Sequence, residues 1–237
     1  HVNPALRRQF GKNFSFSLGA VAEAVKIEDN EGRLVQSGAD DPLIRDELFE
    51  NIYFGGGEFQ VNYFNADNLV NPTKGITANG YVGIRSNLDE PDRTFTYTGG
   101  HFGVYFGAPR IVFASKIGAK HVAGEFEFYQ GATLGARENI RGYRNERFTG
   151  RTAVWHQNDV RIRLFNVENY VLPFTLGLLG GYDYGRVWSG LEGESAEWHE
   201  AYGGGIWLSP FDLAVLNFSY FKSEDGYRFQ FKGGFSF

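Results

Sequence analysis

Five arginines, at positions 137, 141, 144, 147 and 151, fall within one short stretch of a chain whose flanks alternate apolar and polar side chains. A guanidinium is a permanently charged planar fork that pairs with carboxylates or phosphates through two donors at once. The segment "RENIRGYRNERFTG" (137–150) can therefore clamp acidic groups, bind lipid phosphates or simply sit in water. Other reactive chemistry is sparse. The five histidines (1, 101, 121, 156 and 199) show neither the HExxH pattern nor any paired ligand spacing, so no metal site is expected. There is no Gly-x-Ser-x-Gly elbow, no phosphate loop and no cysteine, which leaves no thiolate ligand and no disulfide. "WHE" (198–200) reads as a loop or girdle feature, and Asp183 as a lone carboxylate whose role is electrostatic or structural rather than that of a catalytic acid. The expectation is a chain with no catalytic residues, no cofactor and no enzymatic activity.

The elements that hold this loop come from the rest of the composition. A net charge of −5 with no basic stripe excludes nucleic acid as a partner. The chain has no methionine, so His1 is not expected to be the native start; a leader or more precedes it in a longer precursor. No run approaches the ~20 apolar residues of a membrane-spanning helix. Strands that cross a membrane alternate lipid-facing and lumen-facing side chains, however, and escape that test. The chain carries 23 Phe, 13 Tyr and 4 Trp with 32 glycines and 7 prolines, a mixture suited to a barrel with aromatic girdles.

Period two runs through most of the sequence. Tyr227, Phe229, Phe231, Gly233, Phe235 and Phe237 share one parity, against Arg228, Gln230, Lys232, Gly234 and Ser236 on the other. Soluble strands centre on ~5–6 residues, whereas tilted membrane strands need ~9–11. The longer alternation here favours the membrane. Ten strands are predicted, at 12–27, 49–64, 75–88, 94–107, 110–123, 151–165, 173–188, 200–209, 211–222 and 226–237. Gly99–Gly100 is expected to mark a bulge or bend, and the triple glycines at 55–57 and 203–205 to give curvature. Long connections (28–47, 137–150, 189–200) alternate with short ones (108–110, 209–210), the layout of outer-membrane barrels. With no linker or repeat, residues 1–237 form one expected domain.

Ile140-Arg141-Gly142-Tyr143 resembles the Val/Ile-Arg-Gly-Phe/Tyr motif in the sixth extracellular loop of BamA/TamA-type outer-membrane assembly barrels, the bacterial surface antigen superfamily. Neighbouring segments are similar in the same order. "NPTKG" (71–75) resembles the family's turn and strand start, and "RTAVWHQNDVRIRL" (151–164) the strand after the loop, with Asp159 near its acidic position. "YDYGRVW" (182–188) carries the Asp-x-Gly core, with Gly181 in place of the usual aromatic residue. "AYGGGIWLSPFDLAVLNFSYF" (201–221) looks like the penultimate hairpin, and "FKGGFSF" (231–237) like the terminal insertion signal, with Phe231, Gly233, Phe235 and Phe237 as its elements. The resemblance covers 71–237 in detail and 12–70 in general character.

That resemblance implies an all-β antiparallel transmembrane barrel of the outer membrane, with about ten strands here of a sixteen-stranded family barrel, five of them after the loop. A closed ten-stranded barrel is the alternative. It also implies that the loop folds back into the lumen, where Arg141 meets acidic groups on the inner wall. Asp159 and Asp183 have the inward parity for that role, and Arg141 is expected to pair with Asp183 and so hold the loop as an internal strut. Arg144, Arg147 and Arg151 are expected to stay solvated. By resemblance the barrel inserts or exports outer-membrane or surface proteins. Its implied partners are client proteins, accessory assembly subunits, outer-membrane lipid and lipopolysaccharide. The alternatives are a membrane anchor or secretion barrel for a fused N-terminal phosphoesterase-like enzyme, and a passive pore.

Overall fold

The structure is a computed structural model and describes residues 2–26, 51–108, 110–136, 138–170, 172–190 and 197–235. It is built of antiparallel strands that follow one another in chain order. These are β1 (Ala5–Phe10), β2 (Phe14–Val25), β3 (Ile52–Ala66), β4 (Gly75–Asn87), β5 (Thr94–Ala108) and β6 (Ile111–Gly124), then a short β7 (Ala132–Leu134). After the arginine loop come β8 (Phe148–Val167), β9 (Phe174–Gly190), β10 (His199–Pro210), β11 (Leu216–Ser223) and β12 (Gly226–Gly233). Each pairs with its sequence neighbour, except that β6 pairs directly with β8 and β7 lies beside the start of β8.

Periodicity predicts ten strands, and the described residues form two more. β1 escapes the periodicity because "ALRRQF" does not alternate and all six residues are exposed. β7 is three residues long and lies inside the loop region. Five strands follow the loop, as the resemblance implied. Gly99 and Gly100 form no bulge. They pair in register with Tyr81 and Gly80, and a Cβ at Gly99 would lie 2.5 Å from the Tyr81 hydroxyl, so the missing side chain makes room for that ring. The irregularity falls instead between Arg163 and Phe165 in β8. The extra residue there leaves both Leu164 and Phe165 exposed.

The sheet is inside out relative to a water-soluble sandwich. One face presents Leu18, Phe59, Ile84, Phe102, Phe113, Ile117, Leu178, Ile206, Phe229 and Phe231, all substantially exposed. The opposite face buries Lys116, Gln157, Asp159, Arg161 and Asp183. Water would not tolerate so continuous an apolar surface, whereas hydrocarbon would. The sheet also curls toward its polar side. The Arg161 guanidinium on β8 lies 3.7 Å from the ring of Phe235, beyond β12, and 5.9 Å from Tyr105 on β5. An apolar cluster on the inner side (Phe54, Phe95, Val122, Leu134, Ile140, Tyr143, Val187, Ala201) joins the strands to the loop.

Candidate functional site: the loop packed on the inner wall

The loop leaves β6 through a single 3-10 turn at Phe128–Gln130, runs along β8 as β7, and then reverses at Gly135. The Gly135 carbonyl accepts the backbone N–H groups of Glu138, Asn139 and Ile140. Asn139 ties the turn shut: its side-chain oxygen accepts the Gly135 N–H at 2.9 Å, and its amide donates to the Thr133 carbonyl at 2.9 Å. This short closed turn projects Ile140 to Tyr143 onto the inner faces of β9, β10 and β11.

Arg141 is the centre of the arrangement, with only 1% of its surface accessible. Its backbone N–H and Nε–H both donate to Asp183 Oδ2, at 2.9 and 2.7 Å, and Nη2 donates to Asp183 Oδ1 at 2.5 Å. Its remaining terminal nitrogen lies 2.7 Å from Asp159 Oδ1. The Phe221 ring covers the guanidinium, 4.2 Å from ring centre to the central carbon. Burial disfavours the charged form, and the two carboxylates, Asp183 first, more than offset it, so the Arg141 pKa is raised and the group is cationic. The geometry is a bidentate fork plus a second anion, which suits guanidinium and not ammonium.

The flanking motif residues are seated as tightly. Gly142 has φ +86°, a left-handed conformation that costs other residues energy. Its carbonyl accepts the Ser223 hydroxyl at 2.8 Å. The Tyr143 hydroxyl donates to the Glu200 carbonyl at 3.0 Å, and its ring meets Phe148 edge-on. Burial and the nearby Glu224 carboxylate push its pKa up, so the phenol stays protonated. Phe148 in turn stacks on His199 at 3.6 Å between ring centres, and His199 Nδ1 lies 2.7 Å from Glu224.

The residues expected from sequence fall into three groups. Ile140, Arg141, Gly142, Tyr143, Asp159 and Asp183 come together in one buried cluster. Phe231 lies exposed on the outer face beside Phe218, and Gly233 ends β12 opposite Leu216. Phe235 departs from the alternation. Gly234, at φ +92°, turns the chain, and Phe235 packs inward on Trp207 and Arg161. Phe237 lies outside the described residues. Of the other arginines, Arg144 is exposed, Arg147 pairs with Asp225 at 2.8 Å and Arg151 donates to the Gly124 carbonyl.

Sequence reasoning missed Phe221, Ser223, Glu224, His199 and Asn139. Phe221 left a signal: it is a large aromatic residue at the inward parity of β11, where its neighbours Asn217, Ser219 and Ser223 are polar. The "NPTKG" turn also has a partner that went unnoticed. Asp67 accepts the Thr73 and Lys74 backbone N–H groups at 2.8 and 3.1 Å, and the Thr73 hydroxyl.

Comparison with known proteins bears on the fold and the family. The profile of the Omp85 superfamily domain matches residues 2–237. No curated protein sequence matches the chain. Among solved structures, the chain is similar to BamA from Haemophilus ducreyi lacking POTRA domains 1–3, at TM-score 0.67 and 17% identity. The alignment covers 97% of this chain and 53% of that one, so this chain spans about half the length of that relative. An identity this low speaks for the fold alone.

Proposed function

The chain belongs to the Omp85 superfamily, and from that premise we propose that it is part of an outer-membrane barrel that inserts or exports other outer-membrane or surface proteins. The carrying observation is the buried Arg141–Asp183–Asp159 cluster. A loop fastened to the inner wall by a desolvated ion cluster fills the space a passive pore would leave open. Removing one member strands a buried charge, at a cost of ~3–5 kcal/mol, so the loop is a fixed internal strut.

The far edge supplies the second half of the mechanism. β12 is eight residues long, whereas β9 has 17, and it ends at Gly233–Gly234. Glycines at its end give the strand no side chain to pack there, and unpaired backbone groups at a sheet edge template an incoming strand. A rigid strut next to a weak edge lets the wall open at one seam while the remaining strands keep register. Client proteins with exposed strands are the partners this arrangement takes. Superfamily membership supports accessory assembly subunits as further partners, and the exposed apolar face supports outer-membrane lipid, lipopolysaccharide included, as its surroundings.

The test uses the full-length protein reconstituted in liposomes and an unfolded outer-membrane barrel as client. Folding of the client, read as heat-resistant migration on a gel, should be faster than in protein-free liposomes. Arg141→Ala should remove the acceleration. Equal folding with and without the protein would overturn the proposal.

A further inference from the structure

We propose that the outer face of β6, β8 and β9 holds a seat for one acyl chain of an anionic bilayer lipid. The proposal rests on the reading of this face as lipid-facing and adds a specific site to it. A dent of about 250 Å³ opens there, walled by Phe106, Phe113, Val160 and Tyr182, with Ser115 and Asn158 at one end. Its floor is Gly180.

Gly180 differs from its neighbours in the reason for being glycine. A Cβ at Gly177 or Gly181 would collide with Trp207 or with Arg141, so packing dictates those two. A Cβ at Gly180 would meet nothing within 4 Å. The gap interrupts the outward row of β9, in which Leu178 lies two residues before it and Tyr182 two after. The register carries the bare strip sideways, since Gly180 pairs with Gly204 of β10. The strip is continuous with the exposed apolar face, and hydrocarbon is what that face meets.

The chemistry changes at the next level up. Ser115, Asn158, Tyr182, Tyr202 and Lys222 lie side by side across five strands in one ladder row. The Ser115 hydroxyl donates to Asn158 Oδ1 at 2.9 Å and lies 2.7 Å from His156 Nε2, whose other ring nitrogen is 2.7 Å from the Tyr184 hydroxyl. This fixes the Asn158 carboxamide with its oxygen engaged. Its NH₂ group has two donors, one used in a long 3.3 Å bond to the Tyr182 carbonyl. An ester carbonyl, which only accepts, matches the second donor. Lys222 stands two strands beyond Tyr182, ~10 Å away at the usual strand spacing, with its ammonium over the rings of Tyr202 and Tyr227. A cation in the same row as the ester site suits a headgroup with net negative charge.

Full-length protein extracted from bilayers of equimolar phosphatidylethanolamine and phosphatidylglycerol tests this by native mass spectrometry. The wild type should retain a phosphatidylglycerol, and Gly180→Leu, which fills the dent, should lose it. Gly80→Leu is the control, because Gly80 also has no atoms within 4 Å of its Cβ but lies on β4, away from the dent. Gly80→Leu should retain the lipid. Equal retention by Gly180→Leu and wild type would overturn the proposal, as would equal retention of the two lipids, or loss of a second protein copy in place of a lipid. Protein that never enters the membrane fraction would overturn the lipid-facing reading along with the seat. Protein that enters the bilayer but retains no lipid would overturn the seat alone.

Discussion

Gly181 lies directly against the guanidinium of Arg141: a Cβ at 181 would come within 2.6 Å of Nη2 and 2.9 Å of the Phe221 ring. The position looked like a departure from the family pattern, where an aromatic residue is usual. Here the missing side chain creates the slot that the arginine and its covering ring occupy together. Gly181→Leu should therefore displace the loop. Overpacking of this kind costs ~1–3 kcal/mol, and the expected outcome is a lowered melting temperature and new protease cleavage within residues 125–148. Gly180→Leu, one residue away on the open face, should leave both unchanged.

Arg141 and Asp183 should behave as a unit. Arg141→Ala and Asp183→Asn each leave a buried partner behind, at ~3–5 kcal/mol. The double variant should lose less than the sum of the singles, because neither then strands the other. Arg141→Lys should rescue little, since an ammonium cannot serve both carboxylates with the same fork. Heat-modified migration of the four proteins on one gel is a sufficient readout, and full additivity would contradict the pairing.

Gly142 carries the bend that brings Arg141 to the wall. At φ +86° a substituted residue is strained by ~1–3 kcal/mol, and its Cβ would sit 3.2–3.4 Å from Ala201, Phe221 and Ser223. Gly142→Val should weaken loop docking more than Ser223→Ala, which removes one hydrogen bond to the Gly142 carbonyl, worth ~1 kcal/mol. Amide exchange at Arg141 and Tyr143 would rank the two.

Phe235 should act through Arg161. The ring lies 3.7 Å from the guanidinium and also against Trp207. Phe235→Leu keeps apolar bulk and removes the cation–π contact, for an expected ~0.5–2 kcal/mol. A destabilised Phe235→Leu with an unaffected Phe231→Leu would separate the inward residue from the outward one.

Acid should loosen the turn between β3 and β4. The hydrogen bonds from Thr73 and Lys74 hold the Asp67 pKa below its ordinary value despite the opposing effect of burial. A depressed carboxylate contributes stability that is present above its unfolded pKa, ~3.9, and is lost as pH falls through the folded value. Amide exchange at Thr73 and Lys74, corrected for its intrinsic pH dependence, should quicken below about pH 4 and be insensitive to pH near neutrality. The group is largely exposed, so the effect is local and small. Asp67→Asn should abolish the pH dependence.

Much of this architecture was legible in the alternation of side chains. Period two fixes which residues share a face, and it put Phe229 and Phe231 on one side and Asp159 and Asp183 on the other. It failed where alternation stops: at β1, whose "ALRRQF" has no pattern, and at Gly234, whose positive φ turns Phe235 inward. Gly99–Gly100 misled because a glycine pair reads the same whether it breaks a ladder or makes room for a ring such as that of Tyr81.

The sequence by itself determined ten of the strands, the faces of their alternating residues and the presence of a cationic loop, because all three follow from local order along the chain. It could not determine that one guanidinium holds Asp159 and Asp183 at once, why position 181 must be bare, or that Phe221, Ser223, Glu224 and His199 surround the loop. Those contacts join residues up to 81 positions apart, and only the curl of the sheet and the reversal at Gly135 bring them within bonding distance.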